Sequence, residues 1–256
     1  MSDLLFDAPE LGIYQREQYI PFRDCDCTGR VSLSTWLSWM AELAGEQYEL
    51  RNLGREQLLE NQQVFLLSRI SLRVLRHPVS YERLTASTWE KGVDTVFFRR
   101  NFDFFGEDGN LCAEGSSLWL LCDPVRHRIL RPSALGHPVL DIDRPISCPF
   151  PEKLDAPEQS IPLGSRPVFF SDLDANNHIY CANYGRIFMD FLPEELQRVP
   201  YRDFTLSYVK EAKPGERLLL SGLREPGGFT MAGTHEDGSL CFTAKMSFDS
   251  RKEFLI

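Results

Sequence analysis

The amino-acid sequence predicts an α+β protein built from two similar units in tandem, and three observations lead to this prediction. The stretch DCDCTGRV at 24–31 is matched by DLDANNHI at 172–179, with the Asp-x-Asp core and the last apolar residue in corresponding places. Further on, EDGNLC at 107–112 is matched by EDGSLC at 236–241. Two matching pairs in the same order indicate an internal duplication. After each Asp-x-Asp segment the apolar residues follow first a helical and then a strand-like period.

The first unit is predicted to contain one long helix and four strands. Apolar side chains recur at helical spacing over residues 33–53, where Ser32 or Ser34 suits the N-cap and Gly54 suits the C-terminal end. Beyond this helix the period changes to that of strands, interrupted by turn-forming residues. The strands are predicted at 64–75, 83–90, 95–105 and 111–122, and the turn signals between them are His77-Pro78, Gly92 and Glu107-Asp108-Gly109.

The second unit repeats this order with a shorter helix. Tyr184, Ile187, Phe188 and Phe191 form a helical stripe that stops near Pro193. Such a helix buries its apolar stripe when a curved sheet wraps around it, which favours an α+β arrangement in each unit. The strands of this unit are predicted at 204–212, 217–223, 229–235 and 240–247.

A proline-rich stretch separates the two units. Seven of the 16 prolines fall between residues 131 and 163, which is typical of an extended surface linker. The predicted division is an N-terminal unit at 1–135, a linker at 136–162 and a C-terminal unit at 163–256. We expect the two units to lie side by side and to pair through their edge strands, because pairing protects such edges from aggregation.

The composition narrows the classes of function. The net charge of −9 argues against a general affinity for nucleic acid or for anionic lipid. The 7 cysteines include no Cys-x-x-Cys pair and no zinc-like spacing, so we expect a reduced, cytoplasmic chain without a metal site. Residues 1–12 lack the pattern of a secretion signal, and no apolar run approaches the roughly 20 residues of a membrane span.

Only the second Asp-x-Asp segment carries a full set of catalytic side chains. It contains Asp174, Asn176 and His178, whereas the first copy has Thr28 and Arg30 in the last two of these places. A carboxylate or an imidazole can activate a water molecule, and an amide N–H can stabilise a carbonyl oxygen that becomes negative. The second copy is therefore the candidate active site.

The segment SDLDANNHIYCANY at 171–184 resembles the signature of acyl-acyl-carrier-protein (acyl-ACP) thioesterases, Asp-x-Asn-x-His-Val-Asn-Asn-x-x-Tyr. Asp174, Asn176 and His178 occupy its polar positions. The stretch SYVKEA at 207–212 resembles the Tyr-Arg-Arg-Glu-Cys stretch of the same family and puts Glu211 on the position of the catalytic Glu. The resemblance extends over nearly the whole chain, because this family is also a tandem of two hot-dog units with the active residues in the second.

The resemblance implies hydrolysis of the thioester of fatty acyl-ACP, which releases free fatty acid and carrier protein without a cofactor or a metal. It assigns His178 and Glu211 to the activation of water. Asp174 is expected to orient or to activate the site, and Asn176 to position the substrate or the water.

The chain departs from the family pattern at two places. The paired asparagines after the His are replaced by Tyr180 and Cys181, and the Cys after the Glu is replaced by Ala212. A Cys nucleophile at that last position is excluded, so the resemblance requires a water-based mechanism. Cys181 is interpreted as a small packing residue and Asp172 as a cap of the loop.

The resemblance gives the first unit a binding role. The helical stripe with Trp36, Leu37 and Met40 is expected to hold the acyl chain. Because acyl carrier proteins are acidic, the basic run at 126–131 is a candidate docking surface, in particular Arg126 and Arg128, and the alternative for this run is an ordinary solvated face. A second basic run with the same alternative comprises Arg69, Arg73 and Arg76.

Three alternatives stay open at this point. Asp26-x-x-Gly29 resembles the nucleophile or base motif of single-domain hot-dog thioesterases that act on coenzyme A esters, which would make a second active site. The whole chain would otherwise be an acyl-CoA thioesterase, or a protein that binds acyl groups without turnover. The sequence leaves the chain-length preference and the oligomeric state open, a homodimer included.

Overall fold

The structure, a computed structural model, describes residues 12–248. Segments 1–11 and 249–256 lie outside the described residues, and with them most of the N-terminal stretch that lacks the pattern of a secretion signal. Within 12–248, none of the helices has the length and the hydropathy that crossing a membrane would require. The described part of the chain also contains no group of three or more His, Cys, Asp or Glu side chains arranged to hold a metal ion.

The first unit is a long helix packed against an antiparallel sheet, with a second short helix beside it. The helices are α1 (Leu33–Leu50) and α2 (Arg55–Glu60). The strands are β1 (Ile13–Tyr19), β2 (Val64–Val74), β3 (Arg83–Asp94), β4 (Phe97–Gly106), β5 (Leu111–Asp123) and the short β6 (Arg128–Ile129).

The second unit has the same order of elements. Its helices are α3 (Asn183–Phe191) and the short α4 (Glu194–Gln197). Its strands are β7 (Ile161–Pro167), β8 (Tyr201–Tyr208), β9 (Arg217–Glu225), β10 (Gly228–His235) and β11 (Leu240–Phe248). The helices and strands predicted for both units are therefore present, and the duplication seen in the sequence is also a duplication of structure.

The two units form one continuous sheet in the order β1-β3-β4-β5-β2-β8-β11-β10-β9-β7. They meet where β2 pairs with β8 in antiparallel register, from Arg69 opposite Ser207 to Arg73 opposite Asp203. This pairing confirms that the units lie side by side through edge strands. The order on either side of the junction is mirrored, so the sheet has an approximate twofold symmetry.

Helices α1 and α3 pack against each other across the junction at Gly185. A Cβ atom at Gly185 would lie 3.0 Å from the Leu37 side chain and 3.3 Å from the backbone nitrogen of Ser34. A larger residue would therefore push the helices apart. The close approach lets the buried side chains of both units merge into one apolar core.

Helix α1 begins as predicted, with Ser32 as its N-cap, where the Ser32 side chain accepts a hydrogen bond from the backbone N–H of Thr35. Its predicted end at Gly54 is wrong. The helix stops at Leu50, and Gly54 is instead the residue before α2, with an extended backbone (φ −66°, ψ 174°). A short helix of six residues carries too little periodic signal to be separated from its neighbour in the sequence.

The predicted break at Gly92 is also wrong. Strand β3 continues through Gly92 to Asp94, and the turn lies at Thr95, which has a positive φ of 58°. Gly92 itself has a φ of 70° and lies at a register shift between Glu90 and Val93, so it forms a bulge within the strand rather than a turn.

The proline-rich stretch has neither helix nor strand between Leu135 and Ile161. It lies against the first unit, where the Cys148 carbonyl accepts a hydrogen bond from the buried Ser116 hydroxyl at 3.0 Å. Lys91 and Asp141 pair there as an isolated bridge. The boundaries of the two units at 135 and 163 stay a prediction.

Candidate active site

The loop that carries Asp174, Asn176 and His178 is a tight turn fixed by its own backbone. The Asp174 N–H donates to the His178 carbonyl at 2.9 Å, and the Asn177 N–H donates to the Asp174 carbonyl at 3.0 Å. Asn177 has a positive φ of 63°, a conformation that asparagine tolerates better than most residues. The side chains therefore project from a backbone of defined shape.

The first copy of the segment has the same backbone. The Asp26 N–H donates to the Arg30 carbonyl at 2.8 Å, and Gly29, with a φ of 79°, stands where Asn177 stands in the second copy. The Asp26 carboxylate is occupied by the N–H and the hydroxyl of Thr28, at 2.7 and 2.6 Å. The two loops thus differ in side chains and not in shape.

His178 and Glu211 form a contact pair. The Ile179 N–H donates to the Ala212 carbonyl at 3.1 Å, which ties the loop to the segment after β8. This places the His178 Nε2 atom 3.1 Å from Glu211 Oε2, with side chains 28% and 46% exposed. Glu211 does not lie on a strand as expected, because β8 ends at Tyr208. The pair is accessible to water and to a substrate.

The Asp174 carboxylate is turned toward its own loop. It accepts the Asn176 backbone N–H at 2.8 Å, with longer contacts to the Asn176 side-chain amide at 3.4 Å and the His178 N–H at 3.5 Å. Within residues 12–248, no hydrogen bond joins this carboxylate to the side chain of His178 or Glu211. The structure therefore places the four predicted residues as two pairs, Asp174 with Asn176 and His178 with Glu211.

The side chain of Arg55, a residue that no sequence pattern predicted to be part of a site, reaches from the first unit to this loop. Its Nη2 atom donates to Asn176 Oδ1 at 3.0 Å, and its Nε atom lies 3.4 Å from the same oxygen. Because a guanidinium has only donors, the amide oxygen must face it, and the Nδ2 donor must face away. Arg55 is the first residue of α2, which the sequence did not predict, and no local pattern connects it with a residue 121 positions later.

A cavity of about 340 Å³ lies in the first unit and reaches the second unit at Asn176. Arg55, Glu49 and Asn176 line its exposed end. Its volume falls in the range of small-molecule sites, and its walls have the apolar character that a hydrocarbon chain prefers. The apolar wall is formed by Ala41, Ala44, Leu53, Leu58, Val64, Phe65, Phe98 and Trp119.

Trp36, Leu37 and Met40 do not line this cavity. They are at most 1% exposed and belong to the apolar core on the neighbouring face of α1. They pack in the core and do not line the cavity, whereas we expected them to contact an acyl chain directly. The cavity lies instead beside three small residues of α1, Ala41, Ala44 and Gly45, which leave space next to the helix.

Arg126 and Arg128 lie on the turn after β5. Both guanidinium groups are more than half exposed and lie 3.8 Å from the Asp123 carboxylate. Cys122, near the end of β5 before this turn, has a thiol whose pKa is raised by burial and, to a smaller extent, by the Glu211 carboxylate. The role of these arginines in docking a carrier protein stays a prediction.

The second basic run is engaged within the protein. Arg73 donates to Asp203 at 2.6 Å, and Arg76 donates to Glu82 at 2.7 Å. Arg69 lies over the Phe97 ring, 5.0 Å from its centroid. These contacts agree with the alternative that this run is part of the folded surface.

Cys181 is unsuited to act as a nucleophile. Burial, with a smaller contribution from the Asp174 carboxylate, raises the pKa of its thiol to about 12. The thiolate is the reactive form of cysteine, and at neutral pH it is almost absent here. This agrees with the interpretation of Cys181 as a packing residue.

Asp172 holds the loop in place. Its carboxylate pairs with both terminal nitrogens of Arg166, at 2.9 and 2.6 Å, and accepts the Phe169 N–H at 2.8 Å. Burial alone would raise the pKa of Asp172, but these donors lower it. Asp172 is thus the structural residue that its position at the start of the loop predicts.

Residues 12–132 match the family model described as the acyl-ACP thioesterase N-terminal domain. A comparison with curated protein sequences found no significant match. An acyl-ACP thioesterase from Bacteroides thetaiotaomicron superposes with a TM-score of 0.82 at 22% identity, covering 94% of this chain and 100% of that chain. The 12:0-ACP thioesterase from Umbellularia californica superposes with a TM-score of 0.77 at 16% identity, covering 92% and 96%.

At these identities the two solved structures show a common fold, which confirms the predicted double hot-dog architecture. The family model matches the unit that contains the cavity. The segment at 171–184, which resembles the catalytic signature of acyl-ACP thioesterases, lies in the other unit, and its Asn176 lines the exposed end of that cavity. Residues 12–132 therefore form an acyl-ACP thioesterase N-terminal domain, in a chain that has the fold of two solved acyl-ACP thioesterases.

Proposed function

We propose that this protein hydrolyses the thioester of fatty acyl-ACP, with the acyl chain in the cavity of the first unit and the thioester at the loop of the second. The observation that carries the proposal is the position of Asn176. It lines the exposed end of the cavity and belongs to the loop that holds His178. A chain that enters the cavity therefore has its thioester near the amide, the imidazole and the carboxylate.

In the proposed mechanism the His178–Glu211 pair activates water. A neutral imidazole has one N–H and one lone pair, so an Nε2–H that donates to Glu211 leaves the lone pair on Nδ1. His178 then takes a proton from water as the water oxygen attacks the thioester carbon. Glu211 stabilises the imidazolium that forms, as the carboxylate does in other His-dependent hydrolases.

Asn176 stabilises the carbonyl oxygen in the transition state. Arg55 holds Oδ1, and one Nδ2 hydrogen faces Asp174 Oδ2 at 3.4 Å, so the second Nδ2 hydrogen is available for the oxygen as it becomes negative. The tetrahedral intermediate then expels the phosphopantetheine thiolate, which takes the proton from His178. The products are the fatty acid and the carrier with a free thiol. Asp174 keeps the loop in shape through its bond to the Asn176 N–H.

The carrier is proposed to dock through the exposed Arg126 and Arg128, because a local positive surface on an acidic protein suits an acidic partner. The alternatives are tested with acyl-ACP and acyl-CoA esters of equal chain length. We expect kcat/KM to be at least about tenfold higher with the carrier ester. Equal rates would favour an acyl-CoA thioesterase, and tight acyl binding without product release would favour a non-catalytic binding protein.

A first prediction concerns the thiol beside the site. Cys181→Ala is expected to leave kcat within about twofold of wild type, because a buried thiol with a raised pKa contributes no nucleophile. The measurement is release of the carrier thiol under saturating acyl-ACP. Cys241→Ala is the matched control, since burial also raises the pKa of this thiol, to about 11. A large loss in a folded Cys181→Ala protein would require a covalent mechanism.

A second prediction concerns Arg55. Arg55→Met keeps an unbranched apolar side chain but removes the donors that hold Asn176 Oδ1, so kcat is expected to fall about tenfold with little change in KM. In an Asn176→Ala background the same substitution should have almost no further effect, because the two residues act as one unit. Arg83→Met is the control, an exposed arginine that pairs with Glu17. Additive losses would contradict the role of Arg55 in positioning the amide.

A further inference from the structure

The inner part of the cavity contains a buried positive charge. Arg100 lines the cavity together with Phe98, which lies two residues earlier on β4 and hence on the same face of the sheet. Arg100 is only 2% exposed, whereas Arg55 and Asn176 at the other end are exposed. Arg100 therefore lies on the buried wall of the cavity, whereas Arg55 and Asn176 lie on its exposed wall.

This guanidinium is only partly satisfied by its surroundings. Its Nη1 atom donates to Gln47 Oε1 and, at 3.1 Å, to the Thr88 hydroxyl. The Tyr48 ring lies against its face, 4.7 Å from Cζ to the ring centroid. The Nη2 atom is buried and has no hydrogen-bond partner within residues 12–248. The contact with the Tyr48 ring on the face of the guanidinium does not provide an acceptor for its N–H groups, because these groups point outward in the guanidinium plane.

The nearest carboxylate is already engaged. Glu90 lies opposite Arg100 in the β3–β4 register, but its oxygens accept hydrogen bonds from the Tyr48 hydroxyl and from Arg51, each at 2.7 Å. The Leu140 backbone N–H also donates to Glu90, at 2.8 Å. Among the described residues, Arg100 takes part in no ion pair, so a cationic donor remains at the inner end of the cavity.

We infer that the preferred acyl chain carries a neutral oxygen function, a hydroxyl or an oxo group, in the part far from the thioester, where it accepts a hydrogen bond from Arg100 Nη2. This inference rests on the proposed function and names its substrate class. The Nη2 donor is buried without a partner, which is unfavourable for a charged group, and a plain alkyl chain leaves it unpaired. An acceptor oxygen at that depth supplies the missing partner.

A carboxylate at the far end fits less well than a hydroxyl or an oxo group. It would have to leave water completely and pass the apolar wall formed by residues such as Leu53, Leu58 and Trp119. The guanidinium that would receive it already shares its donors with Gln47 and Thr88. Desolvation of a buried ion pair commonly exceeds the attraction gained when the remaining hydrogen bonds are incomplete.

The test compares three ladders of acyl-ACP substrates with wild-type protein: saturated chains, chains with a terminal hydroxyl, and chains with a terminal carboxylate. We expect kcat/KM for one or two chain lengths of the hydroxyl ladder to exceed the saturated ester of equal length by at least about tenfold, or about 1.4 kcal/mol. Equal rates for hydroxyl and saturated chains at every length would overturn the inference, as would a preference for the carboxylate.

Variants locate the preference at Arg100. Arg100→Met is expected to abolish it, and Arg100→Lys, which keeps a cationic donor, to retain part of it. Phe98→Leu is the matched cavity variant, expected to shift the preferred length while it keeps the preference for hydroxyl. If Arg100→Met does not fold, the wild-type ladders and Arg100→Lys still decide the question. An undiminished hydroxyl preference in a folded Arg100→Met protein would contradict the assignment.

Different results would contradict the proposed hydrolysis of acyl-ACP and the inference about Arg100. If no acyl-ACP of any ladder releases its carrier thiol, the proposed function is wrong. If saturated and hydroxylated esters are both cleaved at equal rates, the function stands and the inference about Arg100 is wrong. A direct binding measurement with free fatty acids and their terminal hydroxy derivatives gives the same comparison without turnover.

Discussion

His178→Ala is expected to lower kcat for acyl-ACP hydrolysis by about 10²-fold or more, which corresponds to about 2.7 kcal/mol of barrier. In the proposed mechanism the imidazole accepts the proton of the attacking water, and Glu211, 3.1 Å away, acts through it. The side chain is partly exposed at the surface of the loop, so its removal leaves no large cavity. Unfolding in denaturant should show stability close to that of wild type.

The duplicated loop supplies a matched control for this variant. Arg30 occupies the position of His178 in the first copy, on the same backbone turn, and within residues 12–248 the hydrogen bond of its guanidinium is a long one to the Arg198 carbonyl, at 3.4 Å. Arg30→Ala should therefore leave kcat nearly unchanged. Near-normal turnover in His178→Ala, or equal losses in the two variants, would remove the imidazole from the mechanism.

Asn176→Asp is expected to lower kcat by about 10²–10³-fold, the range found when a single donor to a developing oxyanion is removed. The substitution is nearly isosteric and keeps an acceptor for Arg55, but it replaces the Nδ2 donor by an oxygen. The loss should therefore appear in kcat more than in KM, since the donor acts mainly on the transition state. Asn176→Ala should give a loss of similar size.

Thr28→Ala is the control for the amide, because Thr28 stands at the corresponding place of the first loop and bonds only within it, to Asp26. Its activity should stay near that of wild type. An Asn176→Asp enzyme with full activity would show that the amide is not the oxyanion donor. In that case the backbone N–H groups near the loop would have to stabilise the oxygen instead.

The parts of the fold that follow from local patterns were predictable from the sequence. The helical period before Gly54 and the alternation after it gave α1 and the strands, and the repeated Asp-x-Asp segment gave the duplication. His178 and Glu211 were predicted together only through the family resemblance. Their contact depends on the Ile179–Ala212 hydrogen bond, which joins segments that are distant in the chain.

The cavity could not be predicted from the apolar stripe of α1, for a physical reason. A stripe such as Trp36, Leu37 and Met40 fills a core, whereas a cavity exists where side chains are too small to fill the space. Which face of α1 stays open depends on how the sheet and α2 pack around it. The Arg55–Asn176 contact likewise arises only after the two units have joined.

The pairing of β2 with β8 has an evolutionary consequence. Two separate, identical subunits would present two identical loops, and every substitution would change both at once. Because the two halves are joined in one chain with a shared sheet, a substitution in one half leaves the other half unchanged. The second loop carries Asp174, Asn176 and His178 where the first carries Asp26, Thr28 and Arg30, and the cavity lies in the first unit. Under the proposed function, selection for chain length and selection for rate would therefore act on separate stretches of this polypeptide.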